Sequence, residues 1–232
     1  MTLALVTGAS RGIGLAVAVA LRGAGHRVIR LARSLRDGAA DGWIDARCDV
    51  SDAAAVPLVL DRLVAQHGVP DIVVNNAGIF MIKPLAETTA ADFTATLATN
   101  LTAAFLVARA LVPRLVARGS GHLVTIGSIS DSIGFSGSTA YAASKFGMRG
   151  MHEVIRAETA RSGLRTTLVS PGPVDTAIWD AVDPDGKPGF TKRKDMLRAE
   201  DVAEAVLFAV TRPAHVDVTE IRLVPTIYSP RG

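Results

Sequence analysis

Short runs of apolar, mostly β-branched residues alternate along this chain with longer stretches whose apolar positions recur at helical spacing. The short runs predict strands at 3–7, 27–32, 44–48, 72–75, 122–127, 166–170 and 220–224, and the periodic stretches predict helices at 12–24, 52–67, 89–117, 138–162 and 199–211. Strands that are apolar on both faces and joined by helices require a parallel sheet covered on both sides. Such crossovers are right-handed almost without exception. The expected fold is therefore α/β: a Rossmann-type, doubly wound, seven-stranded parallel sheet with helices on both faces. The segment 34–43 is short and rich in Gly, Asp and Ala, so one crossover there is expected as a loop.

Composition narrows this without redirecting it. The 232 residues are 49% hydrophobic and 20% charged, enough for one sizeable core. No linker or charge block divides the chain, so residues 1–232 are read as a single domain. Cys48 is the only cysteine and is expected as a buried, inert thiol. The five histidines are scattered without metal-ligand spacing, and no metal is expected. The chain enters a strand at once without a basic leader. Its longest apolar stretches fall short of the ~20 residues of a membrane span; the expectation is a cytoplasmic protein with no membrane partner. Net charge is +3. Its densest basic cluster, Lys187, Lys192, Arg193, Lys194 and Arg198, is either a solvated loop or an attractor for an anionic substrate. No recognition motif or aromatic platform accompanies it, and no nucleic acid is expected.

The first predicted strand runs straight into TGASRGIG, residues 7–14. Gly8, Gly12 and Gly14 suit a tight turn, close approach of a pyrophosphate and close helix packing, while the helix beginning at Gly12 offers free N–H groups to phosphate. The strand-turn-helix context that gives such a triplet meaning is present. At the end of the second strand, where a carboxylate would select NAD, stand Ala32 and Arg33, with Arg11 on the neighbouring turn. Two guanidiniums suit a ribose 2′-phosphate; NADP(H) is expected, with NAD(H) the alternative. Asp49, after the third strand, can accept from an adenine amino group or cap the next helix.

Tyr141 and Lys145 lie one helical turn apart in STAYAASKFG, on one face, with Ser128 upstream. A free phenol has a pKa of about 10. Bringing it near neutrality takes roughly 3 units, about 4 kcal/mol, and an adjacent ammonium in a partly desolvated site is expected to supply much of that. Ser128 then orients a carbonyl for protonation.

Taken together, TGASRGIG, CDVSD, NNAG, the Asn100 of ATNLTAAF, GSIS with Ser128, Tyr141 with Lys145, and PGPVDT at 171–176 resemble the short-chain dehydrogenase/reductase family, in its compact subgroup, over essentially the whole chain. The resemblance implies that Tyr141 is the general acid or base, that Lys145 lowers its pKa and holds the nicotinamide ribose, and that Ser128 binds the substrate oxygen. It implies that Asn100 holds a water linking Lys145 to solvent; Asn100 is also read as a polar residue kinking a buried helix, and the two readings are compatible. It places the cofactor against Gly8, Ser10, Arg11, Gly12, Ile13, Gly14, Arg33, Asp49, Val50, Asn76, Ala77, Gly78, Tyr141, Lys145, Pro171, Gly172, Val174 and Thr176. It also implies a homodimer or homotetramer built on the two long helices.

For the substrate, Phe80, Met81, Ile82, Ile133, Phe135 and Trp179 are candidates for an apolar wall, or simply for core. Residues 177–198, broken by Pro184, Gly186, Pro188 and Gly189, read as a mobile lid. The function implied is interconversion of a carbonyl and an alcohol on a small substrate, possibly anionic. The alternatives are an NAD-dependent dehydrogenase of the same fold and a non-catalytic NADP-sensing protein.

Overall fold

Residues 2–228 are described by the computed structural model. β1 (Leu3–Thr7), β2 (Arg27–Ala32), β4 (Trp43–Arg47), β5 (Ile72–Asn75), β6 (Gly121–Ile126), β7 (Leu164–Pro171) and β8 (Glu220–Leu223) are the seven expected parallel strands, in the order β4-β2-β1-β5-β6-β7-β8. An eighth strand, β3 (Gly38–Ala40), pairs antiparallel with β4 at one edge. The segment 34–43 is thus a short hairpin arm rather than a plain loop. Asp37 fixes it, accepting from Arg47 N at 2.7 Å and from Arg62 Nη1 at 2.8 Å. Beside it the Arg22 and Arg30 guanidiniums stack on Trp43, at 4.9 and 4.4 Å from the ring centre.

The two helical layers divide the side chains of each strand by alternation. Leu3 and Leu5 of β1 join the core formed with α2 (Ala55–His67) and α4 (Ala103–Arg118), around Leu60, Val107, Leu111 and Leu115. Ala4 and Val6 face the other core, under α1 (Gly12–Gly23) and α6 (Ala199–Val210), with Val17, Leu21, Val202 and Val206. Burying one such Leu or Val contributes roughly 1.5–3 kcal/mol, and β1 is buried at every position.

The long helix expected at 89–117 is divided. α3 (Ala90–Leu97) starts on a capping box made by Thr89 and Asp92, passes through a π turn over Ala98–Thr102, and continues as α4. By length and composition Ala90–Arg118 suffices to cross a membrane, longer than its sequence suggested, yet half of its apolar window is buried inside the fold. α5 (Thr139–Glu158) packs against the π turn and carries Tyr141 and Lys145.

The sheet order reverses at β1, whose neighbours are β2 on one side and β5 on the other. The crevice beyond the strands' carboxyl ends opens at such a reversal. The candidate site lies there.

Candidate active site

One cavity of about 990 Å³ runs along that edge. Its walls take in every expected nucleotide-contact position: Gly8, Ser10 to Gly14, Arg33, Asp49, Val50, Asn76 to Gly78, Pro171, Gly172, Val174 and Thr176. Ser128, Tyr141 and Lys145 line the same space, as do Phe80, Phe135 and Trp179.

At its phosphate end, α1 begins without a side-chain cap and without an acidic residue in its first turn. Its free N–H groups and the positive end of its dipole therefore face the cavity. Gly8 has φ +66°, and a Cβ on it would sit 2.8 Å from Ala77 Cα; a Cβ on Gly14 would sit 2.4 Å from both Asn76 Nδ2 and Gly8 O. These two glycines let the turn press onto the NNAG segment. Asn76 Nδ2 closes that contact by donating to Thr7 O at 2.8 Å. An uncapped helix start, an open glycine turn and two arginines form a donor set that fits the diphosphate of a dinucleotide. Both arginines are exposed, and Arg33 Nη1 lies 3.7 Å from Asp49 Oδ2. Asp49 also accepts from the Ser51 amide and hydroxyl, which, with Arg33, hold its carboxyl below the ordinary range. Cys48 is buried, and burial together with Asp49 pushes its thiol up to about 11; at neutral pH it stays protonated.

At the other end, Ser128 closes β6 in extended conformation, and its Oγ accepts from Ser130 N at 3.1 Å. Its hydroxyl also bonds Tyr141 on the cavity wall. Lys145 is buried, and its Nζ donates to the Ile126 carbonyl at 3.0 Å, 5.7 Å from the centre of the Tyr141 ring. The expected depression of the phenol is not what this arrangement produces. Burial pushes Tyr141 up to about 12, the bond from Ser128 acts against that, and the Asp131 carboxylate reinforces it. Burial pushes Lys145 down to about 8, opposed by Asp131. The lysine charge is itself weakened by the desolvation that was to make it effective. Tyr141 is half-buried on the cavity wall, so its hydroxyl stays within reach of a substrate.

Asn100 sits in the π turn, fully buried. Its Oδ1 accepts from Ile79 N at 2.8 Å, and its Nδ2 donates to Ile79 O and to Ser144 Oγ, both at 3.0 Å. Both amide hydrogens are thus committed to protein. The helix-distorting reading describes these contacts.

Sequence reasoning missed Asp131, three residues beyond Ser128. This carboxylate is buried, accepts from Arg149 Nη2 at 3.1 Å and from the Ser170 hydroxyl, and lies 3.5 Å from Arg222 Nη2. It ties the Ser128 turn to α5, to β8 and to the end of β7, just before Pro171 and Gly172. An acidic residue beside a motif serine was the available signal.

Of the candidate substrate residues, Phe80, Phe135 and Trp179 line the cavity, whereas Met81, Ile82 and Ile133 do not. Ile82 packs instead against Gly137, and Ile133 is exposed. Ile178, Phe190 and Tyr228 line it without having been singled out; for Phe190 and Tyr228, aromatic character in or beyond the glycine-rich segment was the clue. The segment 177–198 is anchored at its base, where Val174 bridges Leu197 and Asp175 N donates to Leu197 O at 2.8 Å. Three of its five clustered cations are spent internally, while Lys187 and Lys194 are exposed. Lys192 Nζ donates to the carbonyls of Pro184, Asp185 and Lys187, Arg193 pairs with Asp175 and Asp180, and Arg198 pairs with Asp201. Lys192, Arg193 and Arg198 thus brace the segment.

Residues 2–187 match the family model for short chain dehydrogenase. An uncharacterized oxidoreductase of Staphylococcus aureus (strain MRSA252) is 33% identical over 96% of each chain. Among solved structures, the closed form of a serine dehydrogenase complexed with NADP+ superposes with a TM-score of 0.89 at 30% identity, covering 99% of this chain and 97% of that one. An alcohol dehydrogenase from the archaeon Thermococcus sibiricus, complexed with 5-hydroxy-NADP, gives 0.87 at 26% identity over 100% of both. The chain belongs to the short-chain dehydrogenase family.

Proposed function

We propose that the protein is an NADP(H)-dependent oxidoreductase that reduces a carbonyl to an alcohol, with Tyr141 as proton donor. The observation that carries this is the meeting, in one cavity, of an open dinucleotide cradle with Ser128, Tyr141 and Lys145. The uncapped start of α1, Ser10 and Gly12 would hold the diphosphate, Arg11 and Arg33 a 2′-phosphate, Asp49 and Val50 the adenine, and Pro171 to Thr176 the nicotinamide end. Once bound, a reduced nicotinamide supplies hydride.

The chain's own residues supply the rest. A phenol held near 12 is protonated at neutral pH, the state a donor needs. Ser128 turns its hydroxyl hydrogen onto the same carbonyl oxygen, stabilising charge as it develops. Lys145, with its nitrogen near the Tyr141 ring, stabilises the phenolate left after transfer. A water linking Lys145 to solvent would rest on the remaining lone pairs of Asn100 Oδ1 and the Ile79 carbonyl. Residues 177–198 act as the substrate lid, and exposed Phe105, Phe146 and Val154 on α4 and α5 suit a homo-oligomer contact.

Support for NADP(H) comes from Arg33 standing at the end of β2 and from the NADP+ and 5-hydroxy-NADP in the two related structures. Titration of nucleotide fluorescence with NADPH and NADH, followed by turnover of ketones, hydroxy acids and acyl thioesters, tests the proposal. Tight binding of NADPH without turnover of any substrate would leave only the nucleotide-sensing alternative.

A further inference from the structure

The substrate end of the cavity has a composition of its own. Phe80 stands at its centre. Its ring meets Tyr141 edge-on at 4.8 Å between centroids and 81° between planes, and meets Trp179 at 4.8 Å and 61°. The row extends from Phe80 to Phe135 at 6.5 Å and from Trp179 to Phe190 at 6.3 Å. The charged residues that line the cavity, Arg11, Arg33, Asp49 and Lys145, all belong to the nucleotide end or lie behind Tyr141. Of the lid's cations, Lys192 and Arg193 are committed to lid carbonyls and to Asp175 and Asp180, and Lys187 and Lys194 are not among the residues that line the cavity.

We infer that this site takes an uncharged carbonyl compound bearing an aromatic ring, which docks against Phe80 and Trp179 and places its oxygen at Tyr141 and Ser128. The inference rests on the oxidoreductase reading above and names its substrate class. A further ring can add to the exposed side of such a wall edge-on or offset, the contacts that aromatic groups favour over face-to-face stacks. A carboxylate in the same place would be stripped of water with no cation to receive it, and burying an unpaired charge is heavily penalised. A small aliphatic ketone would react but leave the aromatic wall unfilled. The basic cluster therefore does not describe the substrate, although the sequence made it a candidate to do so. Phe80 touches both the proton donor and the wall, so it also sets the distance between the ring of the substrate and the reacting carbonyl.

Kinetics of the full-length protein with NADPH and three ketones of similar length read this out: benzylacetone, levulinate, and methyl butyl ketone. The inference expects kcat/KM for benzylacetone to exceed that for levulinate by on the order of a hundredfold, and Phe80→Ala and Trp179→Ala each to lower the ratio of kcat/KM for benzylacetone to that for methyl butyl ketone by about tenfold. Equal or better use of levulinate overturns it, as does an aromatic preference that survives both substitutions. Binding is read independently of turnover in Trp43→Phe, which leaves Trp179 as the sole tryptophan of the two. Benzylacetone should quench its fluorescence and levulinate should not. Selective quenching without turnover upholds the ligand class while removing the catalytic reading, and quenching by levulinate alone removes the ligand class.

Discussion

Lys145 Nζ donates to the carbonyl of Ile126 at 3.0 Å, and that bond holds its charge beneath the ring of Tyr141. Of the two, the lysine and not the phenol titrates near neutrality, because burial moves the phenol up to about 12 and the ammonium down to about 8. Below pH 8 both groups carry their protons. As pH rises through 8 the ammonium is lost while the phenol remains protonated, so the phenolate formed in the transition state loses its neighbouring cation. The reductive kcat/KM should be flat from about pH 6 to 7.5 and fall above about 8, tracking Lys145. A rate that rises through this range would contradict the assignment.

Nucleotide choice should be movable. Arg33 is 69% exposed on its side chain and shares its charge with Asp49, so its contact with a phosphate is partly screened. Ala32→Asp combined with Arg33→Leu should shift preference toward NAD by about 2 kcal/mol, roughly thirtyfold. The ratio of Kd values for NADPH and NADH measures it, and an unchanged ratio would remove Arg33 from the phosphate pocket.

Asp131→Asn should be costly and informative at once. The carboxylate is buried against Arg149, Arg222 and Ser170, with Glu220 sharing both arginines. Neutralising it should destabilise the fold by about 3 kcal/mol in urea unfolding. The same change removes an anion that raises both Tyr141 and Lys145, so the phenol should ionise at lower pH. In a Tyr228→Phe background Tyr141 is the only tyrosine, and absorbance of its tyrosinate reports the shift directly.

Two buried histidines set the acid limit. His122 bonds Thr167 Oγ1 at 2.7 Å and His152 bonds Thr125 Oγ1 at 2.9 Å. Burial, first of all, pushes them down to about 3 and about 4. The unfolded chain binds these protons from about pH 6.5 downward while the native protein does not, so stability falls as pH drops through that window. At pH 5 each imidazole should cost about 2 kcal/mol relative to pH 8. His122→Gln and His152→Gln should each flatten the pH dependence of the urea midpoint, and a midpoint insensitive to pH in the parent protein would contradict this.

How much of this was legible depended on range along the chain. β1, apolar from Leu3 to Val6, and the run into TGASRGIG are local signals, and they located both the strand and the cradle. The edge strand β3 escaped because three exposed residues, Gly38 to Ala40, carry no hydrophobic alternation; it exists through pairing with β4 and the grip of Asp37. A distortion at Asn100 was legible as a kink in a buried helix, but its bonds to Ile79 were not, because they join residues far apart in sequence. For the same reason the pairing inside the basic cluster was hidden: Arg193 finds Asp175 and Asp180 only when the lid folds back. The upward move of the Tyr141 phenol was equally hidden, since spacing gives the neighbour but not the depth.

Single-turnover transfer of hydride from bound NADPH to an aromatic ketone, compared between the parent protein and Tyr141→Phe, tests the central claim most directly. Removing one oxygen from a residue on the cavity wall should leave NADPH affinity within about threefold and slow the transfer step by at least about a hundredfold. Undiminished transfer in Tyr141→Phe, with nucleotide still bound, would contradict a phenolic proton donor at this site.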